Sequence, residues 1–209
     1  MERIDDAPRI LRAADYRRER WRNGAGWTRE IHAQPAARGE GWDWRLSIAE
    51  IDEDAPFSAF PGVDRELVLL AGNGLRLRFD DGEVVELQPP HDRLRFAGER
   101  ALRGELVDGP TRDFNLMWKR EAVDARLWHR PLVGSMLLFA EPGSTWALHV
   151  LAGQASVQHG DGWLAAAQGD TILLETVGAD GAGTRRRLPL DGGGELLVVR
   201  VTPTGTAAD

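Results

Sequence analysis

Two segments of the chain match in order across about eighty residues, and this repeat constrains the fold more than any single motif. LVLLAGNGLRLRFDDG (Leu67 to Gly82) lines up with LHVLAGQASVQHGDG (Leu148 to Gly162). Leu70-Ala71-Gly72 corresponds to Leu151-Ala152-Gly153, and Asp81-Gly82 to Asp161-Gly162. Downstream, Gln88 corresponds to Gln168, each followed by an aspartate (Asp92, Asp170) and an apolar strand. One tripeptide match arises by chance. An ordered series of strand, glycine turn, strand, Asp-Gly turn, strand and glutamine turn does not. Two tandem copies of one β-unit predict two jelly-roll barrels packed together.

The local pattern agrees. LRLRF (Leu75 to Phe79) alternates apolar and basic residues, and RLSIA (Arg45 to Ala49), RDFNLMW (Arg112 to Trp118) and ELLVVRV (Glu195 to Val201) also read as strands. Turn signals separate them, among them Pro61-Gly62, Gly72-Asn73-Gly74, Asp80-Asp81-Gly82 and Gly192-Gly193-Gly194. With 24 glycines and 11 prolines, no stretch sustains helical spacing. The expected fold is all-β.

Composition excludes several functions. The net charge of −7 and the lack of a lysine or arginine run, beyond Arg185-Arg186-Arg187, argue against direct nucleic-acid binding. With no cysteine there is no disulfide, thiol nucleophile or Cys-ligated metal. The five histidines, His32, His91, His129, His149 and His159, form no H-x-H pair, so a jelly-roll metal site is not expected. G-x-S-x-G and Walker A motifs are missing. MERIDDAPRI has acids where a signal peptide would have an apolar core, and no apolar run approaches ~18 residues. The expectation is a cytoplasmic protein without membrane contact.

What remains is polar residues on one side of apolar strands. Alternation in RDFNLMW puts Asp113, Asn115 and Met117 on one face and Phe114, Leu116 and Trp118 on the other. In WRLSI, Arg45 and Ser47 share a face, and in TREIH, Thr28, Glu30 and His32 do. A solvent-facing side would favour long Lys and Glu. These short hydrogen-bonding residues beside one arginine suit a small polar ligand, with the arginine as a carboxylate clamp. A purely structural network fits the pattern equally: Asp113 capping a turn, Asn115 satisfying a bulge, Arg45 paired with Asp113. Phe57 and Phe60 are expected to pack on the core.

WRNGAGWTREI (Trp21 to Ile31), WRLSIAEIDEDAPFSAFPGVDRELVLLAGNGL and RDFNLM, in that order and spacing, resemble the HutD/Ves family of bacterial proteins. The resemblance implies a bicupin, with two tandem jelly-roll (double-stranded β-helix) barrels in one chain and no usual cupin metal triad or other cofactor. The N-terminal barrel, 1–120, would hold most of the motifs and the C-terminal barrel would be 121–209, with strands exchanged between them allowed. The family's motif residues carry over as Trp21, Asn23, Gly24, Gly26, Thr28 and Glu30, then Arg45, Ser47, Phe57, Ser58, Asp64, Arg65, Asp113, Asn115 and Met117. The middle glycine of the usual NGGG run is Ala25 here. The resemblance also implies association with histidine utilisation, as a binder of a pathway intermediate that restrains the pathway.

The expected partner is a small carboxylate, urocanate or N-formylglutamate. Arg45 would clamp it, Asn23, Ser47 and Asn115 would hydrogen-bond it, and Trp21 and Phe57 would wall it. Two rivals stand beside this reading. One is a metal-independent isomerase, lyase or hydrolase using Glu30, Asp64 or Asp113 as general base. The other is a homodimeric interaction module.

Overall fold

The computed structural model describes residues 7–176 and 185–204. Seventeen strands and one 3-10 turn (Ala13–Asp15) make up the regular structure among these residues. The chain divides into two compact units, Tyr16–Val123 and a second composed of Met1–Asp15 with Asp124–Asp209. No helix among the described residues is long and apolar enough to cross a membrane.

The second unit contains β1 (Arg9–Leu11), β12 (Val123–Val133), β13 (Met136–Ala140), β14 (Thr145–His159), β15 (Gly162–Ala167), β16 (Thr171–Glu175) and β17 (Arg186–Pro203). They form one sheet in the order β1-β16-β14-β17-β12, with β13 added to β17 and β15 to β14. Its core is apolar: Trp146, Leu148 and Val150 from one half of β14, Ala155 and Val157 from the other, and Leu188, Leu190, Leu196 and Val198 from β17. The inward positions on β14 change from even to odd because a bulge between Val150 and Ala152 inserts one residue. The glycine triplet 192–194, expected as a turn, lies inside β17 and pairs with Gly153 to Ala155 of β14.

The sequence grouped the N-terminus with residues up to 120. With the strand exchange that the sequence reading allowed, β1 pairs with β16, Arg9 opposite Leu173. Asp170 anchors the segment after β1: its carboxylate accepts hydrogen bonds from Arg12 Nη1 (2.7 Å) and Ala13 N (2.9 Å).

The first unit is a two-sheet barrel. One sheet has the order β2-β3-β4-β11-β6-β9, from β2 (Arg17–Arg20), β3 (Gly26–Pro35), β4 (Trp42–Ile51), β6 (Val63–Ala71), β9 (Arg93–Ala97) and β11 (Thr111–Lys119). The other has the order β5-β10-β7-β8, from β5 (Ala55–Pro56), β7 (Leu75–Phe79), β8 (Val84–Leu87) and β10 (Leu102–Leu106). Their facing sides pack Ala49, Ile51, Leu67 and Leu69 against Leu75, Leu77, Phe79, Leu87 and Leu102.

The register across β4, β11 and β6 arranges the interior in rows. Arg45, Met117 and Arg65 form one row, Ser47, Asn115 and Leu67 the next, and Ala49, Asp113 and Leu69 a third. The barrel interior therefore changes along the strands from polar at one end to apolar at the other. The opposite side of these strands carries Leu46, Phe114, Leu116 and Trp118, all buried.

Candidate functional site

The polar end of the first unit's barrel opens into a cavity of about 710 Å³, within the range that holds a small molecule. Ten of the residues singled out from the sequence line it: Trp21, Asn23, Thr28, Arg45, Ser47, Phe57, Ser58, Arg65, Asn115 and Met117. Glu19, Arg20, Arg22, Ala49, Pro56 and Phe60 complete the lining. Neither histidine nor cysteine is among these residues, so the wall lacks the imidazole and thiolate donors of a zinc-type site.

Arg65 is the central group. It is only 5% exposed, and no carboxylate among the described residues pairs with it. Its Nη1 donates a long 3.5 Å hydrogen bond to the Ser58 carbonyl, and its buried Nε has no partner. The guanidinium carbon lies 5.2, 5.8 and 5.2 Å from the ring centres of Phe57, Phe60 and Phe96, where the electron-rich faces partly offset its lost hydration. Burial, followed by the charge of Arg45, lowers its pKa to about 10. It therefore remains a cation at neutral pH. Phe60, expected in the core, instead forms part of this aromatic seat. A Cβ at residue 104 would lie 2.7 Å from the Phe57 ring, so Gly104 on β10 makes room for it.

Asn115, one row deeper, is 7% exposed and its Oδ1 has no hydrogen-bond partner among the described residues. A buried amide oxygen left unbonded in a cavity wall is ready to accept from a ligand or water. Arg45 differs from Arg65: its Nε lies 2.9 Å from Glu30 Oε2, though the two are not aligned for a hydrogen bond.

The turn before β3 shapes the mouth. Trp21 N donates to the Gly26 carbonyl (3.0 Å), and Gly24 N to the Trp21 carbonyl (3.0 Å). Asn23 Oδ1 accepts from Ala25 N (3.1 Å), an Asx turn that employs the side chain expected to meet ligand. Trp21 Nε1 donates to Thr28 Oγ1 (2.9 Å), and its ring meets Phe57 edge-on with centroids 6.4 Å apart. Gly24 takes φ 76°. Gly26 is required by contact, since a Cβ there would stand 2.3 Å from the Glu50 carbonyl oxygen.

Five expected site residues do not line the cavity. Gly24 and Gly26 build the turn. Glu30 stands against Arg45. Asp64 faces away, because alternation in β6 sends adjacent side chains to opposite sides; it accepts from Arg120 Nε (2.6 Å) and Arg95 Nη2 (3.0 Å). Burial favours its neutral form, but these two bonds prevail and lower its pKa. Asp113 is fully buried below Asn115, opposite Ala49 and Leu69. It accepts one bond from Thr111 Oγ1 (2.9 Å), and burial raises its pKa to about 7 despite that bond. Its expected pairing with Arg45 is not formed. The three carboxylates weighed as general bases thus all lie outside the cavity wall. His32, expected beside Thr28 and Glu30, is turned by a bulge between Glu30 and His32 and lies against Trp44, the rings tilted at 45° with centroids 4.8 Å apart.

The lining residues missed from the sequence had weak signals. Ala49 continues the Arg45-Ser47 alternation, and Arg20 and Arg22 flank Trp21 in the chain. Nothing local marks Glu19 or Pro56.

A strand-built barrel with a polar mouth and an apolar base defines a cupin-like protein. A Cupin 2 conserved barrel domain protein from Leptotrichia buccalis shares the fold, with a TM-score of 0.53 over 85% of this chain and 88% of that one at 13% identity. The chain belongs to the HutD family, whose model matches residues 13–198. It is 42% identical over 118 residues to an uncharacterized 21.2 kDa protein in the hutC 3′ region of Pseudomonas putida, covering 56% of this chain and 62% of that protein. To Protein Ves of Cronobacter sakazakii it is 41% identical over 108 residues, 51% of this chain and 58% of the other. The matches thus span about three fifths of these relatives' length. The structure of HutD from Pseudomonas fluorescens SBW25 (formate condition) superposes with a TM-score of 0.81 at 29% identity, covering 95% of this chain and all of that one.

Proposed function

We propose that this protein binds a small carboxylate in the barrel of residues 16–123 and acts as a sensor that restrains histidine utilisation. One observation supports the binding reading: Arg65 is a buried guanidinium without a carboxylate partner among the described residues, in the wall of an open cavity. Burying a cation costs several kcal/mol unless it is paired. A carboxylate ligand would offset that cost with a charge-assisted, bidentate contact. Asn115 Oδ1 would take a donor on the same ligand, and Trp21, Phe57 and Phe60 would cover its apolar part.

The pathway assignment draws on family membership and on the Pseudomonas putida relative, described by its position 3′ of hutC. Urocanate and N-formylglutamate, carboxylates of that pathway, are the first ligands to test. Calorimetric titration should give a saturable, one-site isotherm with one of them. Absence of heat with both at millimolar concentrations would end the assignment.

A further inference from the structure

We infer that the ligand of this cavity carries two anionic groups, one held by Arg65 in the interior and the other by Arg20 and Arg22 at the mouth. This rests on the carboxylate reading above and narrows it. The protein as a whole is acidic, with a net charge of −7, yet its cavity is lined by four arginines and one glutamate. Two of these five charges are already engaged: Arg45 has Glu30 at 2.9 Å, and Glu19 has Arg17 at 3.0 Å.

Arg20, Arg22 and Arg65 have no carboxylate partner among the described residues. Arg20 is also held in place. Its Nη2 donates to the Gly24 carbonyl (2.8 Å), and its guanidinium carbon lies 4.9 Å from the Trp27 ring centre. The turn that shapes the mouth thereby fixes a cation on its rim, with the remaining N–H groups of that fork available. A single carboxylate on Arg65 would leave this rim charge unanswered. A second anionic group near the mouth would meet this exposed rim charge through an attraction that low ionic strength strengthens.

Glutarate and its monomethyl ester test this, because they match closely in size and differ by one charge. Titration of the full chain at low ionic strength should show glutarate binding about tenfold more tightly than the ester, ~1.4 kcal/mol. In the double variant Arg20→Gln, Arg22→Gln the ratio of the two affinities should fall to about one. Equal affinities in the unmodified protein would overturn the two-anion inference while leaving the carboxylate reading intact. A ratio that persists in the double variant would overturn the assignment to Arg20 and Arg22. Failure of both compounds to bind at millimolar concentrations would overturn the two-anion inference, while the carboxylate reading stands or falls on the titrations with urocanate and N-formylglutamate.

Discussion

Glu30 stands 2.9 Å from the Nε of Arg45 and outside the cavity that Arg45 lines. Arg17, 3.8 Å from the same carboxylate, completes the group. Glu30 therefore stands behind Arg45, outside the cavity wall. Replacing Glu30 with Gln keeps the shape and removes the charge that screens Arg45. Carboxylate affinity should hold or rise, while urea denaturation shows a loss of ~0.5–1 kcal/mol, as for other partly exposed pairs. A tenfold fall in affinity would place Glu30 on the ligand instead.

Arg65→Met separates binding from stability in the opposite direction. The thioether fits among the three phenylalanine rings, and an unpaired buried charge disappears. The melting temperature should stay level or rise, while affinity for a bound carboxylate falls by about thirtyfold or more, ~2 kcal/mol. This is the trade expected where a site is maintained at a cost in stability. A large drop in melting temperature with binding retained would mean that Arg65 serves the fold.

The fold was largely legible because its signals are repetitive and local. The matched aspartates do equivalent work in the two units. Leu69 N donates to the Asp92 carbonyl (2.9 Å) and Val150 N to the Asp170 carbonyl (3.0 Å). The Asp92 carboxylate accepts from Gln88 N, and that of Asp170 from Ala167 N, each at 3.0 Å. The faces of β4 and β11 followed from strict alternation. His32 escaped because one bulge residue reverses every later side chain, and nothing in TREIH announces it. Asp64 was misplaced by reading a motif as a block where alternation separates it from Arg65. The pairing of β1 with β16 joins three residues to a strand about 160 positions away, beyond any local pattern. The unpaired state of Arg65 depends on where every carboxylate lies in space, so sequence could name the residue but not its condition.

Gly26 and Ala25 predict a sharp contrast between neighbours. A methyl at Gly26 would collide with the Glu50 carbonyl at 2.3 Å and press on the Trp21 ring at 3.3 Å. Gly26→Ala should destabilise by ~2 kcal/mol or more and weaken carboxylate binding by displacing Trp21. Ala25 has no positive φ, so the alanine in this NGAG run is unstrained. Ala25→Gly should cost only ~0.5–1 kcal/mol through backbone entropy and leave binding alone. Thermal melts of both variants, paired with titrations, check the contrast. Equal losses would mean that the strand contact at Gly26 relaxes freely.

Asp113 gives the pH dependence its sign. Its carboxyl titrates near 7 in the folded protein because of burial, against an ordinary value near 4 in the unfolded chain. Below about pH 4 both states hold the proton and the group contributes no difference. Between about 4 and 7 the unfolded chain ionises while the folded one keeps its proton. Stability from this group therefore falls as pH rises through that window, at up to about 1.4 kcal/mol per pH unit, and levels off above it. Asp113→Asn removes the titration while an amide can still accept the Thr111 hydroxyl. Urea denaturation across pH 5 to 8 should show the variant gaining on the parent protein as pH rises. Parallel stability curves would show that Asp113 ionises in the folded protein as readily as in the unfolded chain.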